Sequence, residues 1–296
     1  MNVISADAIG IRYGSKTVLK EMNFAIPRGS ITGLIGVNGS GKTTLIRILL
    51  GLIEPEQGVA LVHGMKAMQD GCEIRRRTGY VSDAFGLHKW MTVQMALSFY
   101  AAFYPSWSPE YANELRERVG LDPNERLDHM SKGAKTRLLL VLALSHRPEL
   151  LIMDEPFSGL DPVVRHDVLG LISDYASENG RTVFLSSHNI SDIERMCDRL
   201  LLLHEGRASL DGYIEQIREN RSKIRATFRE NVPKDLHLTD ATVLEHSSKS
   251  LTLYLRGNLE LVLATLREAG AIIEDIPIDL ETILLHEMTA TRRSGT

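Results

Sequence analysis

Apolar and polar positions alternate along Ala8-Ile9-Gly10-Ile11-Arg12-Tyr13 and again along Met22-Asn23-Phe24-Ala25-Ile26, the period-two pattern of half-buried strands. Gly14-Ser15 marks a turn between them, so residues 3–30 are expected to open the fold as an antiparallel pair. The pattern then changes. Residues 31–35, 150–153, 182–185 and 199–203 are short, nearly unbroken apolar runs, which predict strands buried on both faces of a parallel sheet. Val59-Ala60-Leu61-Val62, after the turn Pro55-Glu56-Gln57-Gly58, and Thr78-Gly79-Tyr80-Val81-Ser82 predict two more strands. Leu45-Ile46-Arg47-Ile48-Leu49-Leu50 predicts a helix that Gly51 can end.

Residues 92–145 are expected to be mostly helical, broken at Pro105 and Pro109, with Tyr111, Leu115 and Val119 on one face. After Gly212 the composition shifts. Residues 223–228 and 250–255 alternate like strands, 258–269 read as a helix, and 271–273 as a strand. Leu280, Ile283, Leu284 and Met288 form the stripe of a closing helix. The fold class expected is α/β: a mostly parallel core sheet, an N-terminal antiparallel β subdomain and a helical subdomain at about 92–145. Residues 1–212 form the main domain, and residues 213–296 a small α+β domain.

Composition adds limits. The chain has 296 residues, 43% hydrophobic and 24% charged, enough for one large domain and a small one. Its net charge of −4 offers no basic excess for nucleic acid, and none is expected as a partner. The longest greasy run, residues 138–144, falls far short of the roughly 20 residues a membrane helix needs. The N-terminus lacks a basic-then-apolar signal pattern. Cys72 and Cys197 have no CxxC spacing and read as reduced structural thiols of a cytosolic protein.

The chemistry concentrates in Gly36-Val37-Asn38-Gly39-Ser40-Gly41-Lys42-Thr43-Thr44, which fits the phosphate-loop pattern G-x-x-x-x-G-K-[ST] between a predicted strand and a predicted helix. Its glycines let backbone N–H groups curl around phosphate oxygens, and the helix N-terminus adds positive potential. Lys42 is expected to reach the β- and γ-phosphates, and the Thr43 hydroxyl to hold magnesium. Asp154 and Glu155 end the apolar run 150–153, where open α/β sheets place their ligands. Asp154 is expected on the magnesium. Glu155, on the opposite side of the strand, is expected to align a water for attack on the γ-phosphate. His188, at the end of the 182–187 run, could hydrogen-bond the γ-phosphate or that water. Tyr13 could stack on an adenine ring or be a half-buried strand residue.

Assembled, these residues resemble the ATPase subunit of ATP-binding-cassette (ABC) transporters over roughly residues 3–212, a P-loop NTPase fold. Met130-Ser131-Lys132-Gly133-Ala134 is similar to the family signature LSGGQ, with Met for Leu, Lys132 for the first Gly and Ala134 for Gln. Ser131 and Gly133 stand where a hydroxyl and a bare backbone meet phosphate. Ser158-Gly159-Leu160-Asp161 is similar to the D-loop, His188 to the switch histidine, and Tyr13 to the adenine-stacking aromatic. Asp83 stands where the family usually has glutamine; it can bind magnesium, directly or through water, but cannot donate a hydrogen bond while ionised.

The resemblance implies ATP and Mg2+ as ligands and hydrolysis of ATP. It implies a second copy of the cassette (or a related chain), because one chain's phosphate loop faces the other's signature. It also implies a separate membrane-spanning permease that moves cargo, with export suggested by the tail. This chain would then sit in the cytoplasm on the inner face of the membrane, with Phe85, Leu87 and Trp90 as apolar docking anchors. The tail would strengthen dimerisation, regulate the cassette or merely cap it. The competing readings are a soluble cassette acting on nucleic acid or ribosomes, a cassette with a regulatory role, and one that binds ATP without hydrolysing it.

Overall fold

The computed structural model describes residues 1–293 except 83–85, 179, 234–235, 237, 239–240 and 258. The chain divides into two compact units, Met1–Asp211 and Gly212–Thr296.

In the first unit, β1 (Asn2–Tyr13) and β2 (Lys16–Pro27) pair antiparallel across Gly14, whose φ of 61° is a left-handed turn conformation suited to glycine. Both strands run longer than their alternation suggests, because register shifts along the pair interrupt the period. β3 (Ile31–Ile35) leads through the phosphate loop into α1 (Lys42–Leu49). β4 (Gln57–Val62) and β5 (Met65–Lys66) complete a first sheet of order β2-β1-β4-β5. α2 (Gly71–Arg77), which the hydrophobic pattern does not announce, precedes β6 (Thr78–Val81). The region of residues 92–145 holds α3 (Val93–Ala101), α4 (Pro109–Arg118) and α5 (Lys132–Leu144). Ser108 caps α4 through the Tyr111 amide, and Pro109 occupies the first turn, where its missing N–H costs nothing.

The chain then alternates β7 (Leu150–Asp154), α6 (Pro162–Ser177), β8 (Thr182–Ser187), α7 (Ile190–Met196), β9 (Arg199–His204) and β10 (Arg207–Tyr213). The second sheet has the order β10-β9-β3-β8-β7-β6, and the five strands from β9 to β6 are parallel. α1 lies between the two sheets: Leu45, Ile46, Ile48 and Leu49 join Ile4, Met22, Ile26 and Val62 from one sheet and Ile152, Phe184 and Leu201 from the other in one buried core. Phe24 stacks on Phe184 across that core with ring centroids 6.4 Å apart. No helix among the described residues is long and apolar enough to cross a membrane.

The second unit contains α8 (Ile214–Glu219), β11 (Arg221–Thr227), β12 (Ala241–His246), β13 (Ser250–Arg256), α9 (Leu259–Glu268), β14 (Ile272–Ile276) and α10 (Leu280–Arg293). Its antiparallel sheet has the order β12-β13-β11-β14. Ile224, Ala226, Leu251, Leu253 and Leu255 pack with Val262 and Leu266 of α9. From the other side of β13, Tyr254 stacks on His286 of α10 at 4.3 Å. There Arg221, 8% exposed, bonds Glu287 at 2.6 Å and donates to the Tyr254 hydroxyl at 3.0 Å and the Ile217 carbonyl at 2.8 Å. Three partners for one buried guanidinium offset its loss of water and tie α8, β13 and α10 together.

Candidate functional site

Three adjacent parallel strands end level. Ile35 of β3 lies opposite Ser187 of β8, and Ser186 opposite Asp154 of β7. The loops leaving these strands therefore emerge at one sheet edge, and each carries a sequence-identified group. The phosphate loop follows β3, Glu155 follows β7, and His188 follows β8.

Gly39 and Gly41 hold φ of 76° and 111°, conformations that L side chains rarely adopt. A Cβ on Gly36 would sit 2.7 Å from both the Leu203 carbonyl oxygen and Ser40 Oγ, so this position must stay bare. No side chain caps the N-terminus of α1, and no acid lies in its first turn, which leaves those amide donors for a ligand. Ser40 Oγ is buried within the loop without a hydrogen-bond partner.

Lys42, 6% exposed, donates from Nζ to the Gly36 carbonyl at 2.7 Å and lies 3.1 Å from Glu155 Oε1. Glu155 Oε2 meets His188 Nδ1 at 2.7 Å. Thr43 Oγ1 donates to Asp154 Oδ2, and Ser186 Oγ to Asp154 Oδ1, each at 2.7 Å. Glu155 departs from the expectation that it lies on the opposite side of its strand. β7 stops at Asp154, and Glu155 takes a left-handed φ of 51°, its amide fixed by Ser186 Oγ at 2.9 Å. Glu155 thereby lines the cleft of the phosphate loop, while Asp154 stays buried and touches that loop through Thr43. A non-glycine residue in this conformation costs of order 1–3 kcal/mol and persists because its surroundings over-determine it.

Tyr13, Asn38, Gly39, Gly41, Lys42, Thr43, Thr44 and Glu155 line one cleft of about 300 Å³, together with Lys16 and Val18. Tyr13 is half exposed at the end of β1. Ser131, Gly133 and Asp161 are not among the lining residues. They cluster where α5 and α6 begin: Ser131 caps α5 through the Ala134 amide, and Asp161 caps α6 through the amides of Val163 and Val164. A Cβ on Gly133 would approach Val164 to 2.9 Å, so the bare backbone lets these two helix starts touch. Asp83 and Phe85 lie outside the described residues. Leu87 lines a second cleft, of about 430 Å³, with Phe99, Tyr100, Phe103, Tyr104 and Arg75. Trp90 is 61% exposed and stacks on His88.

Ser186, which fixes both Asp154 and Glu155, is legible in the sequence only as a strand end, and Lys16 and Val18 not as cleft residues at all. Ser186 carries a signal, a small polar residue ending a buried strand; Lys16 and Val18 reach the cleft only through the β1–β2 pairing.

Among the described residues no group of three or more His, Cys, Asp and Glu side chains gathers to hold a metal. The donor set present is instead one hydroxyl and one carboxylate, Thr43 and Asp154, which fits a magnesium that takes its other oxygens from phosphate and water. A phosphate-gripping loop, adjacent acids and a histidine at the ends of parallel strands define a nucleotide-hydrolysing site.

A family model described as "ABC transporter" matches residues 19–158. The ABC transporter ATP-binding protein YtrB of Bacillus subtilis is 29% identical over 277 residues, 93% of this chain and 94% of that protein. The bacitracin transport ATP-binding protein BcrA of Enterococcus faecalis is 32% identical over 253 residues, 81% of each chain. A solved ATP-binding subunit of an ABC transporter superposes with a TM-score of 0.68 at 30% identity, covering 73% of this chain and 92% of that one. The chain belongs to the ATP-binding subunits of ABC transporters. It is an ATP-hydrolysing cassette with the P-loop fold of that family.

Proposed function

We propose that this chain is the motor of an exporter, hydrolysing ATP as a Mg2+ complex in a dimer of cassettes bound to a separate membrane-spanning subunit. The observation that carries the reading is the convergence of Lys42, Glu155 and His188 with the Thr43–Asp154 pair at the level ends of β3, β7 and β8. Lys42 and the phosphate-loop amides bind the triphosphate, and Tyr13 offers a face to the adenine. Thr43 and Asp154 would hold magnesium, whose charge offsets that developing on the phosphate oxygens. Glu155 accepts the proton of the attacking water. His188 orients the Glu155 carboxylate through Nδ1 and leaves its other nitrogen for the γ-phosphate.

A second copy is proposed because Ser131 and Gly133 lie apart from the cleft, so a signature must come from another chain. α5 would point its N-terminus at the γ-phosphate across that interface. Moving a two-state clamp from 1:99 to 99:1 takes about 5.5 kcal/mol. Two sites supplying roughly 3 kcal/mol each is within reach of a few charge-assisted hydrogen bonds. ADP lacks the group being gripped, so hydrolysis releases the clamp.

The permease is proposed to dock at the aromatic cleft of Leu87, Phe99 and Phe103, with Trp90 beside it. The chain is then peripheral to the cytoplasmic face of the membrane. BcrA's name as a bacitracin transport protein supports export. The second unit is proposed to strengthen dimerisation. The test is turnover in Glu155→Gln, which keeps size and loses the base. ATP binding should persist while turnover drops at least about a hundredfold; full turnover would remove Glu155 from its assigned role.

A further inference from the structure

The two groups assigned to hydrolysis sit on different loops, Glu155 after β7 and His188 after β8. Their 2.7 Å contact survives only if those loops hold a fixed spacing. Ser186 supplies one link, through the Glu155 amide. A second link lies beneath the loops and has no role in the mechanism so far.

Arg165, at the end of the first turn of α6, donates to Asp192 Oδ1 of α7 at 3.0 Å. The Asp192 carboxylate is only 4% exposed, so it depends on that partner. The other end of the guanidinium lies 3.5 Å from the carbonyl oxygen of Phe157, in the loop that follows Glu155. Asp192 Oδ2 lies 3.4 Å from the Ser187 hydroxyl. Ser187 Oγ in turn accepts from the Asn189 amide at 2.9 Å, and its one proton is shared between Asp192 Oδ2 and the Asn189 carbonyl at 3.2 Å, so the turn that carries His188 is closed around it. Asn189 also caps α7 through the Ser191 amide at 3.0 Å.

We propose that Arg165 and Asp192 are positioning residues that brace the Glu155 loop against the His188 loop and so set the Glu155–His188 contact. The planar fork of arginine reaches a carboxylate on one side and a backbone carbonyl on the other. Neither residue faces the cleft, so the pair acts on hydrolysis through the loops rather than by touching ATP. The loop that Arg165 grips at Phe157 continues into Ser158-Gly159-Leu160-Asp161, the stretch similar to the family's D-loop. This inference rests on the proposed dimeric ATPase and deepens it.

The test compares steady-state ATP hydrolysis by the full chain with Asp192→Asn, Arg165→Lys and Arg165→Met. Asp192→Asn keeps volume and removes charge. It should lower kcat about tenfold or more and change KM less than about twofold, because binding groups are untouched. Arg165→Lys, which keeps the charge, should retain several times the kcat of Arg165→Met. If Asp192→Asn does not fold, the Lys-against-Met comparison at equal melting temperature decides. Unchanged kcat in Asp192→Asn, or equal kcat in the two Arg165 variants, overturns the brace. A wild-type chain with no ATP turnover would instead overturn the proposed function beneath it.

Discussion

Lys42 shows how little the side chains of this site are left to wander. Its ammonium is held between the Gly36 carbonyl at 2.7 Å, the Val37 carbonyl at 3.4 Å and Glu155 at 3.1 Å. The contacts place a cation inside the loop that must take up phosphate, and a phosphate oxygen would compete for it with Glu155. Lys42→Ala should therefore weaken ATP binding itself, by about tenfold or more in equilibrium titration; unaltered affinity would contradict the phosphate-loop reading. The loop was legible at this scale because its pattern fixes residue types at fixed spacings. The direction of Glu155 was not, because its left-handed backbone is imposed by Ser186, 31 residues further on.

Elements with strong periodicity were legible and the weakly patterned ones were not. α5 could be read because a run of apolar residues fills it, and the parallel strands because they are apolar throughout. α2 has Ile74 as its one large buried side chain among arginines, so no stripe announces it. α6 carries signals of its own: Asp161 caps it, Pro162 opens it, and Val164, Val168, Leu171, Ile172 and Tyr175 form its buried face. The junction after α5 has a consequence for stability. His146 is buried and stacks on Tyr104 at 4.0 Å, and burial lowers its pKa to about 4 from 6.5. His63 is lowered to about 4 as well, first by burial and then by the Arg77 guanidinium. Above pH 6.5 both are neutral folded or unfolded, with no penalty. Between pH 6.5 and 4 the unfolded chain binds protons that the folded chain refuses, so stability falls, by up to about 3 kcal/mol for His146 alone. His146→Phe should keep the ring stack and flatten the melting temperature's dependence on pH across that window. An identical slope in the variant would exclude His146 as its source.

The whole molecule combines a cassette with a unit of different construction. The YtrB alignment spans 93% of the chain and so reaches into Gly212–Thr296, whereas the solved cassette covers 73%. The second unit has its own core and a buried Arg221–Glu287 pair, the makings of independent stability. Within the first unit Ser131 and Gly133 lie outside the cleft that the phosphate loop lines, and the proposed dimer rests on that separation. The most direct test is ATP hydrolysis per chain measured over a dilution series, for the full chain and for one ending at residue 211. The account predicts specific activity that falls on dilution, and falls at higher concentration in the shortened chain. Activity per chain that stays constant at every dilution in a monomeric preparation would contradict the shared site.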